Sequence, residues 1–157
     1  MATLPSRYTP SGAPMAGGMG AVQICEDSIL ERKVAVKFIH GSTHRRRILD
    51  ELAALLKMRS KHVVQVYDVL NLAGGDLGIV QEFIDGKDLF ESHALPTDQS
   101  SYLKTLWQIA SGISDIHEVG VIHRDIKPNN MKTDPEGLIK IFDFGLARDE
   151  GPSASTM

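Results

Sequence analysis

Two stretches of strict alternation followed by a change of period constrain this chain most. From Ala21 to Glu26 side chains alternate, with Val22 and Ile24 on one face. From Lys33 to His40 they alternate again, Val34, Val36 and Phe38 facing one way and Ala35, Lys37 and Ile39 the other. This predicts two antiparallel strands joined near Asp27–Glu31. From Thr43 to Met58 the period lengthens: Ile48, Leu52, Leu55 and Leu56 form one stripe of a helix. Such an order excludes an all-α or all-β fold and predicts an α+β chain that begins with a sheet.

The same reading continues downstream. Val63–Leu70 is rich in β-branched residues and reads as a strand, and Gly74-Gly75-Asp76 turns the chain into a partner strand over Leu77–Phe83. Asp85-Gly86 breaks the pattern. After Pro96 a long helix follows, with Leu103, Leu106, Ala110, Ile113 and His117 along one face. Val121-Ile122, Met131–Thr133 and Leu138–Phe142 are short extended pieces, the last two flanking a turn at Asp134-Pro135-Glu136-Gly137. Residues 1–20 read as a flexible lead into a glycine loop, and the tail from Arg148 as small and polar. A sheet-rich half therefore meets a helical half at Glu82–Gly86.

Composition limits what such a chain does. Seventeen Lys and Arg against twenty Asp and Glu give a net charge of −3, so no general basic field is expected to hold nucleic acid. The single cysteine, Cys25, excludes an internal disulfide and a cysteine metal cluster; a buried small hydrophobe is the favoured reading of it over a thiol near a ligand. No apolar run is long enough to span a bilayer, and no apolar block follows Arg7 as a signal peptide requires. The expectation is a cytoplasmic protein without a membrane segment.

Several residues carry potential chemistry. Gly17, Gly18 and Gly20 precede a strand, and glycines let a backbone approach phosphate closely, although such a loop alone is usually only a turn. In Val34-Ala35-Val36-Lys37 the small Ala35 and the cation of Lys37 share a face, which suits a flat ring beside an anion; a snorkelling lysine is the plainer account. Glu51, on the striped helix, could hold Lys37, or could simply be solvated. His123-Arg124-Asp125-Ile126-Lys127-Pro128-Asn129-Asn130, with Asp143-Phe144-Gly145 thirteen residues after Asn130, decides among these readings. Two carboxylates and an amide at those spacings are hard to reach by chance.

Here the sequence resembles the eukaryotic-type (Hanks-type) protein kinase family, whose pattern is H-R-D-x-K-x-x-N followed by D-F-G. The resemblance runs from about Tyr8 to Arg148, and the Gly-Gly-Met-Gly text is similar to bacterial members. It implies a two-lobed α+β fold with an antiparallel-sheet N-lobe plus one helix (1–81), a hinge (82–86) and a partial helical C-lobe (87–157). It implies ATP and Mg²⁺ as cofactors and a protein serine or threonine as substrate, since Lys127 follows the aspartate as in serine/threonine kinases. Gly17, Gly18 and Gly20 would cover the phosphates, and Val22 and Ala35 the adenine. Lys37 would hold the α- and β-phosphates and pair with Glu51. Gln81 falls at the gatekeeper position. Backbone groups of Glu82 and Ile84 would bind adenine, and Asp88 the ribose. Asp125 would accept the hydroxyl proton, Lys127 would neutralise the γ-phosphate, and Asn130 and Asp143 would hold magnesium. Leu55, Val66, His123 and Phe144 would stack between the lobes. Arg124 would grip a phosphorylated segment, with Ser153, Ser155 and Thr156 as candidate sites.

Three features depart from the family pattern. Met15 replaces the leading glycine of the loop. Lys132 stands where an apolar residue usually lies below adenine; its stem is expected to cover the ring while its amine reaches solvent. The chain stops twelve residues after Gly145, whereas a whole kinase domain needs roughly 250 residues, so the lower lobe is expected to be incomplete and to expose an apolar patch. The alternative to an active kinase is accordingly a nucleotide-binding or inactive fragment, acting if at all as an interaction module.

Overall fold

A computed structural model describes residues 3–17, 20–41, 44–89 and 98–146. Six strands build the upper sheet: β1 (Tyr8–Pro10), β2 (Met15–Gly17), β3 (Gly20–Asp27), β4 (Arg32–Ile39), β5 (Val66–Asn71) and β6 (Leu77–Glu82). Their order is β1-β3-β4-β6-β5, with β2 also on β3, and every pairing is antiparallel. Helix α1 (Arg45–Lys57) packs its Ile48, Leu52 and Leu55 into the main core. Below lie β7 (Lys87–Asp88), α2 (Gln99–Glu118), β8 (Met131–Thr133) and β9 (Ile139–Ile141), the three strands forming a small sheet in the order β7-β8-β9. The α+β architecture expected from the sequence, an antiparallel upper sheet with one helix above a smaller helical part, is therefore observed.

The alternation in β4 has its predicted consequence: Val34, Val36 and Phe38 enter a small core with Tyr8, Cys25 and Val80 on one face of the sheet. Cys25 is fully buried there. On the opposite face Ile39 and Ile79 join the core beneath α1. Buried Asp27 anchors the first strand, accepting from Arg7 Nε at 2.8 Å and Nη2 at 2.7 Å and from the Ile29 and Leu30 amides. The Arg7 guanidinium holds the Asp27 carboxyl down at about 2.

Three sequence expectations are corrected, and the break at Asp85-Gly86 is observed. The lead to the glycine loop is not wholly irregular, because β1 and β2 pair with β3. Val63 does not open β5; it bridges in parallel to Ile141, so the segment after α1 belongs partly to the lower sheet. The breaker at Gly86 leads into β7, and only glycine fits, since a Cβ there would lie 2.4 Å from the Thr133 carbonyl oxygen. Helix α2 forms, capped by Asp98, which accepts from Ser101 N–H at 2.9 Å. Its expected apolar face nevertheless points outward: Leu103, Leu106, Ala110 and His117 are exposed, and Ile113 alone of that set is partly buried. The buried line is Thr105, Gln108, Gly112 and Ile116.

Candidate active site

Between the upper sheet and the lower hairpin lies a cleft of about 460 Å³. Val22, Ala35 and Lys37 line it from the upper sheet, Gln81, Glu82, Phe83 and Ile84 from the connection, and Lys127, Asn130, Lys132, Phe142 and Asp143 from below. Gly20 lines it too, with φ of 140°, and a Cβ on it would fall 2.1 Å from the Phe38 carbonyl oxygen. Packing alone therefore demands glycine at that position. Gly17 is paired with Gly20 across β2 and β3, while Gly18 lies outside the described residues.

Below the cleft two loops are bonded to each other. His123 is buried; its Nδ1 accepts from the Asp125 amide at 3.2 Å, so its Nε2 carries the proton and donates to the Phe142 carbonyl at 2.8 Å. Burial pushes the His123 pKa down, in keeping with a neutral ring. The Phe142 amide donates to Asn130 O and the Gly145 amide to His123 O, at 2.9 and 2.8 Å. Asn130 Nδ2 donates to both the backbone carbonyl and Oδ2 of Asp125, at 2.8 and 3.0 Å, and Lys127 Nζ is 3.0 Å from the same Oδ2. These contacts fix the Asp125 carboxylate beside the cleft. Arg124 and Asp143 hold left-handed backbone, with φ of 64° and 62°. Such strain in non-glycine residues gathers at functional sites.

The cations are paired differently from expectation. Lys37, almost fully buried, donates to Asp143 Oδ1 and lies 3.5 Å from the Phe144 carbonyl oxygen. Glu51 is held instead by both terminal nitrogens of Arg124, at 2.8 and 2.9 Å, with Arg47 Nε 3.9 Å away. The expected Lys37–Glu51 pair is thus replaced in this structure. A guanidinium fork matches a carboxylate better than an ammonium does, and the Asp143 carboxylate already satisfies Lys37. Arg124 is accordingly engaged with Glu51, and Ser153, Ser155 and Thr156 lie outside the described residues.

Lys132 lines the cleft with its side chain about 30% exposed, its amine 3.9 Å from Asp88 Oδ1 and 5.8 Å from the centre of the Phe142 ring. Lys132 thus borders the cleft with its ammonium between Asp88 and the Phe142 ring. Asp88 itself does not line the cleft. The Glu82 amide is already donated to Gln65 O at 2.8 Å, so any bond from Glu82 to a bound ring must come from its carbonyl. Leu55, Val66, His123 and Phe144 are all buried, and His123 and Phe144 stack with ring centres 5.1 Å apart.

Among the described residues no three His, Cys, Asp or Glu side chains cluster to hold a metal unaided. Asp143 and Asn130 nevertheless both line the cleft, and the Asn130 amide nitrogen is turned to Asp125. An oxygen-only pair of this kind suits a hard cation that takes its remaining ligands from phosphates and water. Sequence reasoning missed Ile24, Val64, Asn129 and Phe142 as lining residues; Phe142 was legible as the residue entering Asp143-Phe144-Gly145, whereas Val64 owes its place to the bridge beside it.

A family model for the protein kinase domain matches residues 16–157. The chain is 38% identical over 145 residues to a serine/threonine-protein kinase, drp72, of Corynebacterium efficiens, covering 84% of this chain and 28% of that protein. It is equally similar to PknA of Corynebacterium glutamicum, covering 84% and 30%. With the serine/threonine-protein kinase PksC of Streptomyces coelicolor it shares 32% identity over 147 residues, covering 82% and 26%. The chain thus spans less than a third of the length of these relatives. Its cleft, its paired loops and these likenesses agree: the chain belongs to the protein kinase domain family, and its relatives are bacterial serine/threonine-protein kinases.

Proposed function

We propose that this chain provides the ATP site and catalytic loop of a serine/threonine protein kinase. Residues 1–81 act as the N-lobe, 82–86 as the hinge, and 87–157 as the lower-lobe portion. The supporting observation is the convergence of Lys37, Lys127, Asn130 and Asp143 on one cleft, with Asp125 held at its side by Asn130 and Lys127. Val22 and Ala35 cover the adenine, and the carbonyl of Glu82 and the backbone of Ile84 bond its edge. Asp88 serves the ribose once released from Lys132. Gly17, Gly18 and Gly20 cover the phosphates, and Lys37 holds the α- and β-phosphates. Asn130 and Asp143 hold Mg²⁺, which when bound draws charge from the β- and γ-phosphates. Asp125 orients the substrate hydroxyl and accepts its proton as the oxygen bonds to the γ-phosphorus. The bond to the β–γ bridging oxygen breaks and ADP leaves, while Lys127 offsets the charge on the transferred group.

A second reading, nucleotide binding without transfer, is favoured by one observation. Kinase chemistry requires the lysine–glutamate pair and the Asp143–metal contact together, and here Lys37 is bonded to Asp143 and Glu51 to Arg124. The discriminating experiment incubates the chain with radiolabelled ATP, Mg²⁺ and a generic protein substrate, beside Asp125→Ala. Transfer by the parent and a loss of several orders of magnitude in the variant support phosphotransfer. A thermal shift with ATP·Mg²⁺ and no transfer supports the second reading. Absence of both overturns the proposal.

A further inference from the structure

Among the described residues, ionic contacts that cross between the two halves include three pairs. Two of them, Lys37–Asp143 and Arg124–Glu51, engage side chains that the proposed chemistry needs elsewhere. The third does not. Lys140 Nζ donates to Glu82 Oε1 at 2.6 Å, and both side chains are largely buried, 15% and 23% exposed. The other oxygen, Glu82 Oε2, accepts from the Gln65 amide at 3.1 Å, and the Glu82 amide donates back to Gln65 O. One carboxylate thereby joins β6, the segment before β5 and β9.

The position of this joint gives it leverage. β9 and residues 62–64 are bonded to each other, Val64 N–H to Ile141 O and Ile141 N–H to His62 O, both at 2.9 Å. Helix α2 is seated on the same pair, because Gly112 leaves room for the His62 carbonyl and the Ile141 side chain. These parts pack together below the upper sheet, and Glu82 is one of the points where they meet it. Two residues after Glu82 comes Ile84, and three after Lys140 comes Asp143, both in the cleft lining. Lys140 itself does not line the cleft. Its bond uses the Glu82 carboxylate, whereas the proposed adenine contact uses the Glu82 carbonyl.

We infer that Lys140 is a positioning residue: through Glu82 it fixes the pivot between the halves, and so the spacing between the hinge backbone and Asp143. The inference rests on the nucleotide-binding reading for its consequence, and on the geometry alone for the pivot. Losing the ammonium leaves a half-buried carboxylate with one amide partner, and frees β6 to move against β9.

The test compares the full chain with Lys140→Met and Lys140→Arg, by titration with a fluorescent (mant) ATP and by amide hydrogen exchange without nucleotide. Lys140→Met is expected to bind mant-ATP about 3- to 10-fold more weakly and to exchange faster at Gln65 and Glu82, with unchanged protection in β3 and β4. Lys140→Arg, which keeps the charge and the reach, is expected to restore both. Unchanged binding and exchange in Lys140→Met overturn the inference, as does an arginine variant as impaired as the methionine one. Should Lys140→Met not fold, Glu82→Gln removes the ion pair at constant volume and carries the same comparison. A parent chain that binds no mant-ATP defeats the proposed function instead; the exchange data then decide the pivot, faster exchange upholding it and unchanged exchange overturning it.

Discussion

In α1 the apolar stripe is turned inward: Ile48, Leu52 and Leu55 are at most 1% exposed. In α2 the stripe of Leu103, Leu106 and Trp107 is 43 to 64% exposed, Trp107 meeting His62 edge-on. What α2 buries is a mixed line, the small or polar Thr105, Gln108 and Gly112 with Ile116 in the main core. Gln108 Oε1 accepts from the Ile139 amide at 3.0 Å, Thr105 Oγ1 donates to Ser101 O, and Gly112 lets the helix come close to β9. The two helices show that a 3.6-residue period marks an apolar stripe without saying what lies against it. Helix α1 is held by apolar burial, whereas α2 adds hydrogen bonds and close approach to the burial of Ile116, and its outer face stays largely exposed, with Trp107 against His62.

That contrast can be broken by mutation. The largest effect is expected in α1, where Leu52→Ala should cost about 2–5 kcal/mol, read as a lower urea midpoint at unchanged slope. In α2 the equivalent blow falls on a glycine. Gly112→Ala places a Cβ 2.8 Å from the His62 carbonyl oxygen and 2.9 Å from Ile141 Cδ1. It should cost about 1–3 kcal/mol and speed amide exchange at Ile141. If Gly112→Ala were neutral, the close seating of α2 on β9 would be wrong.

A smaller effect sharpens the picture of the upper sheet. The Asp27 carboxyl is depressed to about 2 by Arg7, so the unfolded chain binds more protons than the folded one between its ordinary value of 3.8 and that figure. The stabilisation is complete above 3.8 and is lost as pH falls toward 2. Unfolding curves of the parent and Asp27→Asn should therefore converge in acid and separate above pH 4. The smallest effect belongs to the outward face of α2. Leu103→Ser with Trp107→Ser should change stability by no more than about 0.5 kcal/mol per site, while lowering the binding of an apolar dye. A loss as large as that of Leu52→Ala would mean that this face is covered after all.

Much of the fold was legible in the order of the residues. The alternation at Val34, Val36 and Phe38 and the stripe at Ile48, Leu52 and Leu55 are local patterns, and each formed the element that it predicts. The cleft residues were legible for a different reason. Asp125, Lys127, Asn130 and Asp143 lie in short loops whose chemistry is set by residue type and spacing, and Lys127, Asn130 and Asp143 line the cleft with Asp125 bonded beside them. The place of Lys140 was half legible: alternation with the buried Ile139 and Ile141 puts it on the opposite face of β9, but Glu82 as its partner is 58 residues away.

The sequence by itself determined the longer elements and their order, and which charged and amide side chains fall in the short loops, because those properties depend on neighbours along the chain. Tertiary structure alone decided that Glu51 is bound by Arg124 and Lys37 by Asp143, that α2 turns its mixed line inward, and that Lys140 ties β9 to Glu82. Each of these is a competition among charges or surfaces distant in sequence. The winner is set by which groups the packed backbone brings within hydrogen-bonding distance, and residue order alone does not contain those distances.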